Sequence, residues 1–224
     1  MIPRVLEPEA METPEEVLEY DAMDHREVNQ RFVNDFLAAH GPYRGGLILD
    51  VGTGTAQIPI VLAQAAPTAR IIALDLSQNM LAQAARNIKA AGLADRIECF
   101  LGDAKSLGPA IGASPFEGVV SNTIVHHIPD PGPAIAAMKE QVGPGGTLLI
   151  RDLYRPADDE TVETLVRTYT GNESEKAQSL FRDSLHAALT LNEIRRIAES
   201  LGIPGDCITM TSDRHWTLVW KRPT

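Results

Sequence analysis

The chain has 224 residues, 44% of them hydrophobic, enough for a sizeable core in one domain with additions, and its 30 acidic against 20 basic residues give a net charge of −10. That balance repels phosphate backbones and makes nucleic acid a poor partner. Two distant cysteines, Cys99 and Cys207, need no disulfide framework and fit a reducing cytoplasm; no apolar run approaches a membrane span, and the N-terminus lacks the apolar stretch of a secretion signal.

In chain order, residues 1–12 read as a loose Pro/Glu-rich arm. Thr13-Pro14-Glu15-Glu16 marks a helix start, with a capping-box pair and proline in the first turn. A second start is expected at Asp24 with Glu27 three residues on. Val28, Phe32, Val33, Phe36 and Leu37 then share a face, and Gly41-Pro42 ends the helix. The pattern next alternates. Strands are predicted at 47–51, 71–75, 97–101, 118–122 and 147–151. The helices between them run from about Ala56 to Ala66, from the N-cap Ser77 to Gly92, and from Asp130-Pro131 to Gly143. Such alternation implies a parallel, doubly wound sheet. A charged, helical insertion follows at about 156–188. A capping box at Thr190–Glu193 then opens a helix closed by Gly202, and two strand-like runs around 208–211 and 216–220 form a terminal hairpin.

The chemistry gathers at the strand ends. Asp50-Val51-Gly52-Thr53-Gly54 leads from the first strand into a helix, where glycines permit a sharp bend and unpaired N–H groups gather. A dinucleotide loop wants a third glycine where Gln57 stands. A carboxylate at Asp50 repels pyrophosphate and suits a cationic ligand, or it holds the loop's own N–H groups. Asp75 ends the second strand, where a carboxylate accepts from ribose hydroxyls; it can equally cap the helix at Ser77. Gly102-Asp103-Ala104 follows the third strand, either as an adenine contact or as an ordinary turn.

Together these residues resemble the class I S-adenosylmethionine-dependent methyltransferases. The likeness rests on Asp50-x-Gly52-x-Gly54, on Asp75 in Ala73-Leu74-Asp75-Leu76-Ser77, and on Gly102-Asp103. It continues through Ser121-Asn122-Thr123-Ile124-Val125-His126-His127 and Gly143-Pro144-Gly145-Gly146, covering about 45–152. One departure is Ala56, where many relatives carry glycine. The resemblance implies a Rossmann-like, seven-stranded, mostly parallel sheet ending in an antiparallel hairpin, with helices on both faces. It divides the chain into an arm and lid at 1–44 and a methyltransferase domain at 45–224.

S-adenosylmethionine is the implied cofactor. Gly52, Thr53 and Gly54 pass under its methionine part, with Asp50 near the ammonium. Asp75 takes the ribose, Leu76 packs on the adenine, Gly102, Asp103 and Ala104 meet its edge, and Asn122 lies by the sulfonium. Tyr20, on a lid-like segment, is a candidate to orient the methionine carboxylate or touch the acceptor. His126 and His127 are candidate bases or packed residues of a short helix, and Asp152, Arg155 and Arg182 are acceptor contacts or internal ion pairs. No metal site is read: His126, His127 and Asp130 cluster, but adjacent histidines are expected to point apart. The expected function is cytoplasmic methyl transfer to a small molecule. Competing readings are another reaction of the same cofactor, a non-catalytic binding protein, and a nicotinamide-dependent oxidoreductase. A nucleic-acid or protein methyltransferase is disfavoured by the acidic balance and because Ser121-Asn122-Thr123-Ile124 replaces an Asn-Pro-Pro-Tyr/Phe motif.

Overall fold

The computed structural model describes residues 2–7, 13–43, 45–107, 111 and 115–224. Residues 1 and 8–12 of the expected loose arm lie outside that set. Seven strands pair in the order β3-β2-β1-β4-β5-β7-β6. They are β1 (Leu47–Val51), β2 (Arg70–Asp75), β3 (Ile97–Leu101), β4 (Phe116–Asn122), β5 (Val142–Leu153), β6 (Ile208–Met210) and β7 (His215–Lys221). β1 runs parallel to β2 and β4, and β2 parallel to β3. β6 and β7 form the expected antiparallel hairpin, with Ile208 opposite Leu218 and Met210 opposite Trp216. The α/β, Rossmann-like sheet is therefore the one expected.

The chain divides into two compact units. The larger comprises Ala10–Asn122, Pro133–Ile150 and Val219–Thr224. Its helices are α1 (Pro14–Asp21), α2 (Arg26–His40), α3 (Gln57–Ala65), α4 (Gln78–Ala90) and α5 (Gly132–Gln141), the last beginning one residue before the division. α1 starts with the expected capping box: Thr13 Oγ1 accepts from Glu16 N–H, and Glu16 accepts from Thr13 N–H. The expected cap of α2 fails. Asp24 accepts instead from the N–H and guanidinium of Arg26, and His25 stands at the N-cap with no capping hydrogen bond from its side chain. Phe32, Val33 and Phe36 of α2 pack with Ile48, Ile71, Val120 and Leu149 of the strands. Truncating a ring buried as fully as Phe36 costs about 3–5 kcal/mol. Gly118 is where that ring meets β4: a Cβ there would clash with the end of Phe36.

The helix expected to run to Gly143 stops two residues earlier, because the backbone from Val142 onward belongs to β5. Gly145 N–H donates to Arg222 O and Arg222 N–H to Gly146 O, so pairing with the chain's end outcompetes another helical turn. A Cβ on Gly146 would stand 2.9 Å from the carbonyl oxygens of Phe116 and Glu117.

The smaller unit comprises the N-terminal residues through Glu9, Thr123–Gly132 and Arg151–Leu218. The 156–188 insertion is helical as expected: α6 (Asp159–Thr170) and α7 (Glu175–Ala187) close a core of Leu153, Val162, Leu165, Val166, Leu185 and Ala188. α8 (Leu191–Ser200) opens on the expected capping box at Thr190 and Glu193. The described part of the arm is anchored: Val5 N–H donates to His186 O, and Arg4 donates to the carbonyls of His126, Ile128, Pro129 and Ala187.

Candidate active site

The β1–α3 loop turns through three left-handed residues, Gly52 (φ 75°), Gly54 (φ 56°) and Ala56 (φ 63°). Glycine adopts this conformation freely, whereas an L side chain loses about 1–2 kcal/mol there. Ala56 therefore holds at some strain the conformation that a third glycine would take freely, partly offset because its methyl group is fully buried. Gly52 and Thr53 N–H both donate to Leu74 O, tying the loop to β2.

Asp75 fixes the rest. Its Oδ2 accepts from Gly54 N–H at 2.8 Å and its Oδ1 from Ser77 N–H at 2.8 Å, so one carboxylate clamps the glycine loop and the start of α4. The capping and ligand roles do not compete, since a carboxylate offers about four lone-pair sites. Asp103 accepts from Lys105 N–H and caps the 3₁₀ turn Ala104–Ser106. Leu76 is 46% exposed beside these strand ends.

Asp50, Gly52, Thr53 and Asn122 line one cleft of about 350 Å³, joined by Tyr20 and Gln57. Asp50 is 2% exposed, and burial, reinforced by the charge of Asp75, pushes its carboxyl up to about 7. The Thr53 hydroxyl tempers that rise but reaches no hydrogen bond in good geometry among the described residues. A buried, poorly compensated carboxyl beside an unsatisfied hydroxyl calls for a cationic, hydrogen-bonding ligand. The donor set fits an amino-acid moiety carrying an ammonium group, and Asp75 has acceptor capacity left for a ribose.

Tyr20 covers the loop. A Cβ on Gly54 would lie 3.7 Å from its ring. Enclosure of its hydroxyl, with the charges of Asp75, Asp50 and Asp21, pushes its pKa up to about 12. Near neutral pH that hydroxyl therefore keeps its proton. Its neighbour Asp21, which sequence reasoning missed, anchors the end of α1. Burial opposes its charge, but side-chain donors outweigh that and lower its pKa. Gln83 Nε2 donates to Oδ2 and Asn87 Nδ2 to Oδ1, both at 2.8 Å. Gln57, at the position of a dinucleotide loop's third glycine, reaches Asp21 at 3.4 Å. The available signal was Gln83 and Asn87 four residues apart on α4, with Gln83 buried.

The other singled-out residues belong to the smaller unit. His126, 3% exposed, points Nδ1 at Asp152 Oδ1 (2.5 Å) and Nε2 at Glu7 Oε1 (3.3 Å). Burial lowers its pKa, but the two carboxylates outweigh that and raise it, against some opposition from Arg4. As a base candidate it already has both ring nitrogens facing acids. The adjacent histidines do not point apart: the rings sit 4.1 Å centre to centre, and His127 Nδ1 lies 3.2 Å from the same Glu7 oxygen.

Asp152 also accepts from the N–H groups of Val125, His126 and Leu153. Arg155 donates to Ala188 O and to Glu193, and Arg182 grips Glu163 across α6 and α7. All three candidate acceptor contacts thus have internal partners. The hairpin turn is likewise tied inward, Asp213 accepting from the Tyr169 hydroxyl while Arg214 stacks on that ring.

Residues 48–146 match the family model described as a methyltransferase domain. That segment belongs to the class I S-adenosylmethionine-dependent methyltransferases. The cofactor of the family is S-adenosylmethionine. Among curated relatives, the chain is 34% identical over 101 residues to trans-aconitate 2-methyltransferase of Streptomyces avermitilis, covering 45% of this chain and 36% of that one. It is 46% identical over 77 residues to release factor glutamine methyltransferase of Chlorobaculum tepidum, covering 34% and 26%. The alignments span about a quarter to a third of the first curated relatives' own lengths. Its fold matches a solved methyltransferase from Aquifex aeolicus with a TM-score of 0.64 at 15% identity, over 94% of this chain and 99% of that one.

Proposed function

We propose that this chain transfers the methyl group of S-adenosylmethionine to a small-molecule acceptor in the cytoplasm. The observation that carries the cofactor assignment is the Asp75 clamp on Gly54 and Ser77, beside a cleft floored by the raised carboxyl of Asp50. In this reading Asp50 meets the ammonium, Asp75 the ribose, and Gly52, Thr53 and Gly54 the methionine backbone. Leu76 offers the adenine an apolar face, Gly102, Asp103 and Ala104 border its edge, and Asn122 lies at the end holding the sulfonium. When bound, the cofactor supplies a methyl group already activated by the positive sulfur. The chain's own work is then alignment, worth on the order of several kcal/mol, and exclusion of water. Tyr20, held neutral over Gly54, contributes by orienting the ligand and not by taking a proton.

A small acceptor is supported by the trans-aconitate relative, by the acidic balance, and by Ser121-Asn122-Thr123-Ile124 in place of an Asn-Pro-Pro motif. The release-factor relative favours a protein acceptor as the second reading. No helix among the described residues is long and apolar enough to cross a membrane. No acceptor contact is assigned to Asp152, Arg155 or Arg182, and no base role to His126 or His127.

The test is calorimetric titration of S-adenosylhomocysteine into Asp75→Ala. Losing a charged hydrogen bond weakens binding at least about tenfold, roughly 1.4 kcal/mol. Unchanged affinity in a variant that unfolds like the wild type overturns the assignment of the cleft. Mass spectrometry of products over panels of small acceptors and proteins then separates methyl transfer from other reactions, and one acceptor class from the other.

A further inference from the structure

The Glu7–His126–His127 cluster lies within the smaller unit, and the proposed function leaves it without a role. Glu7 Oε1, His126 Nε2 and His127 Nδ1 all lie within 4.8 Å of one another. The Glu7 oxygen stands 3.3 Å from the first nitrogen and 3.2 Å from the second. Neither approach has hydrogen-bond geometry, so this buried oxygen accepts no hydrogen bond among the described residues. The other oxygen of Glu7 accepts from the Ser184 hydroxyl. Those spacings suit a shared metal: bonds of about 2.0–2.1 Å from N and O ligands to zinc make tetrahedral edges of roughly 3.3–3.4 Å.

We propose that Glu7 Oε1, His126 Nε2 and His127 Nδ1 form a three-ligand site for a divalent transition metal of the zinc class. The surroundings are those such a site needs. Asp152 Oδ1 takes the Nδ1–H of His126 at 2.5 Å, which fixes the tautomer so that the Nε2 lone pair faces Glu7. Val125 and His126 N–H in turn hold Oδ2 of that carboxylate. His126 and His127 sit in one 3₁₀ turn, Val125–His127, and reach the same point by using opposite edges of their rings. The nearby Arg4 guanidinium, in electrostatic reach of Asp152, sends its donors to the four carbonyls of His126, Ile128, Pro129 and Ala187 and so is not committed to Glu7. Two imidazoles and one carboxylate favour zinc, nickel or copper over magnesium or calcium. Three protein ligands leave a fourth position for water. Because Glu7 comes from the N-terminal segment and the histidines follow β4, bound metal staples that segment down and raises stability by mass action.

The experiment uses untagged full-length protein, stripped with chelator and titrated with zinc chloride by calorimetry, with Co²⁺ as the spectroscopic probe. Expected are one equivalent bound, a rise in Tm with zinc, and the intense visible absorption of tetrahedral cobalt. Glu7→Gln and His127→Ala each weaken binding at least tenfold. Weak octahedral cobalt absorption, no stoichiometric binding, or variants that bind like the wild type overturn the site; the last outcome means adventitious binding to other histidines. Should a variant not fold, the stoichiometry and cobalt spectrum of the wild type decide alone. No readout depends on methyl transfer, so this site and the cofactor cleft stand or fall separately.

Discussion

Asp50 and Asp152 are the same residue in nearly the same position. Each is the penultimate residue of its strand, β1 for one and β5 for the other, and they are 2% and 1% exposed. Yet their carboxyls move in opposite directions. Burial raises Asp50 to about 7, whereas at Asp152 the same burial is outweighed by the His126 imidazole and by backbone donors, and the pKa falls. Burial alone is therefore not diagnostic. A buried carboxyl that has its partners is scaffold, and one left short of them marks where a ligand belongs.

The largest effect that tests this contrast is Asp152→Ala. It strips the Nδ1 partner from a buried imidazole and leaves the N–H groups of Val125, His126 and Leu153 without their acceptor. Breaking one side of a buried charged pair costs about 3–5 kcal/mol, read as a lower urea midpoint with unchanged slope. A loss below about 1 kcal/mol means that Asp152 is no more satisfied than Asp50, and the contrast collapses.

Asp50→Asn probes the other side, with the opposite sign. A carboxyl whose folded pKa is raised from 3.8 to about 7 binds its proton more tightly in the native state. Its contribution to stability is present below about pH 4 and is lost as pH rises through about 7. Removing the charge should make the unliganded protein more stable than wild type at pH 8 by about 2–4 kcal/mol, with little difference at pH 4. Affinity for S-adenosylhomocysteine should fall in the same variant. Urea unfolding across pH 4–8 measures the first, and a flat difference between variant and wild type removes Asp50 as the unpaired carboxyl.

What was legible in the sequence was local. β1 and β3 were bounded correctly from apolar runs ending at Asp50-x-Gly52 and before Gly102-Asp103, and both capping boxes formed as read. Asp50, Gly52, Gly54 and Asp75 stand out in the sequence because each lies at or just after a strand end, where the motif itself sets the position. The misses are contacts between distant parts of the chain. Asp21 is 62 residues from Gln83 and 66 from Asn87, and Glu7 meets His126 and His127 from the far N-terminus. No periodicity links such positions. The early stop of α5 has the same origin, since the chain's end claims the backbone of Gly145 and Gly146.

Asp21 is the intermediate case and carries the smallest effect. It is only partly buried, and its charge is kept by the side-chain amides of Asn87, Gln57 and Gln83. Asp21→Asn preserves shape and one carbonyl oxygen but surrenders an acceptor, so at least one of the 2.8 Å bonds from Gln83 and Asn87 is lost. That weakens docking of α1 by about 1 kcal/mol. Hydrogen exchange of the amides in Pro14–Asp21 should quicken about fivefold, while those of β1 and β2 stay as in wild type. If global stability fell as far as for Asp152→Ala, Asp21 would be scaffold of the same kind as Asp152. If nothing changed, Tyr20 and Val17 would hold α1 by packing alone.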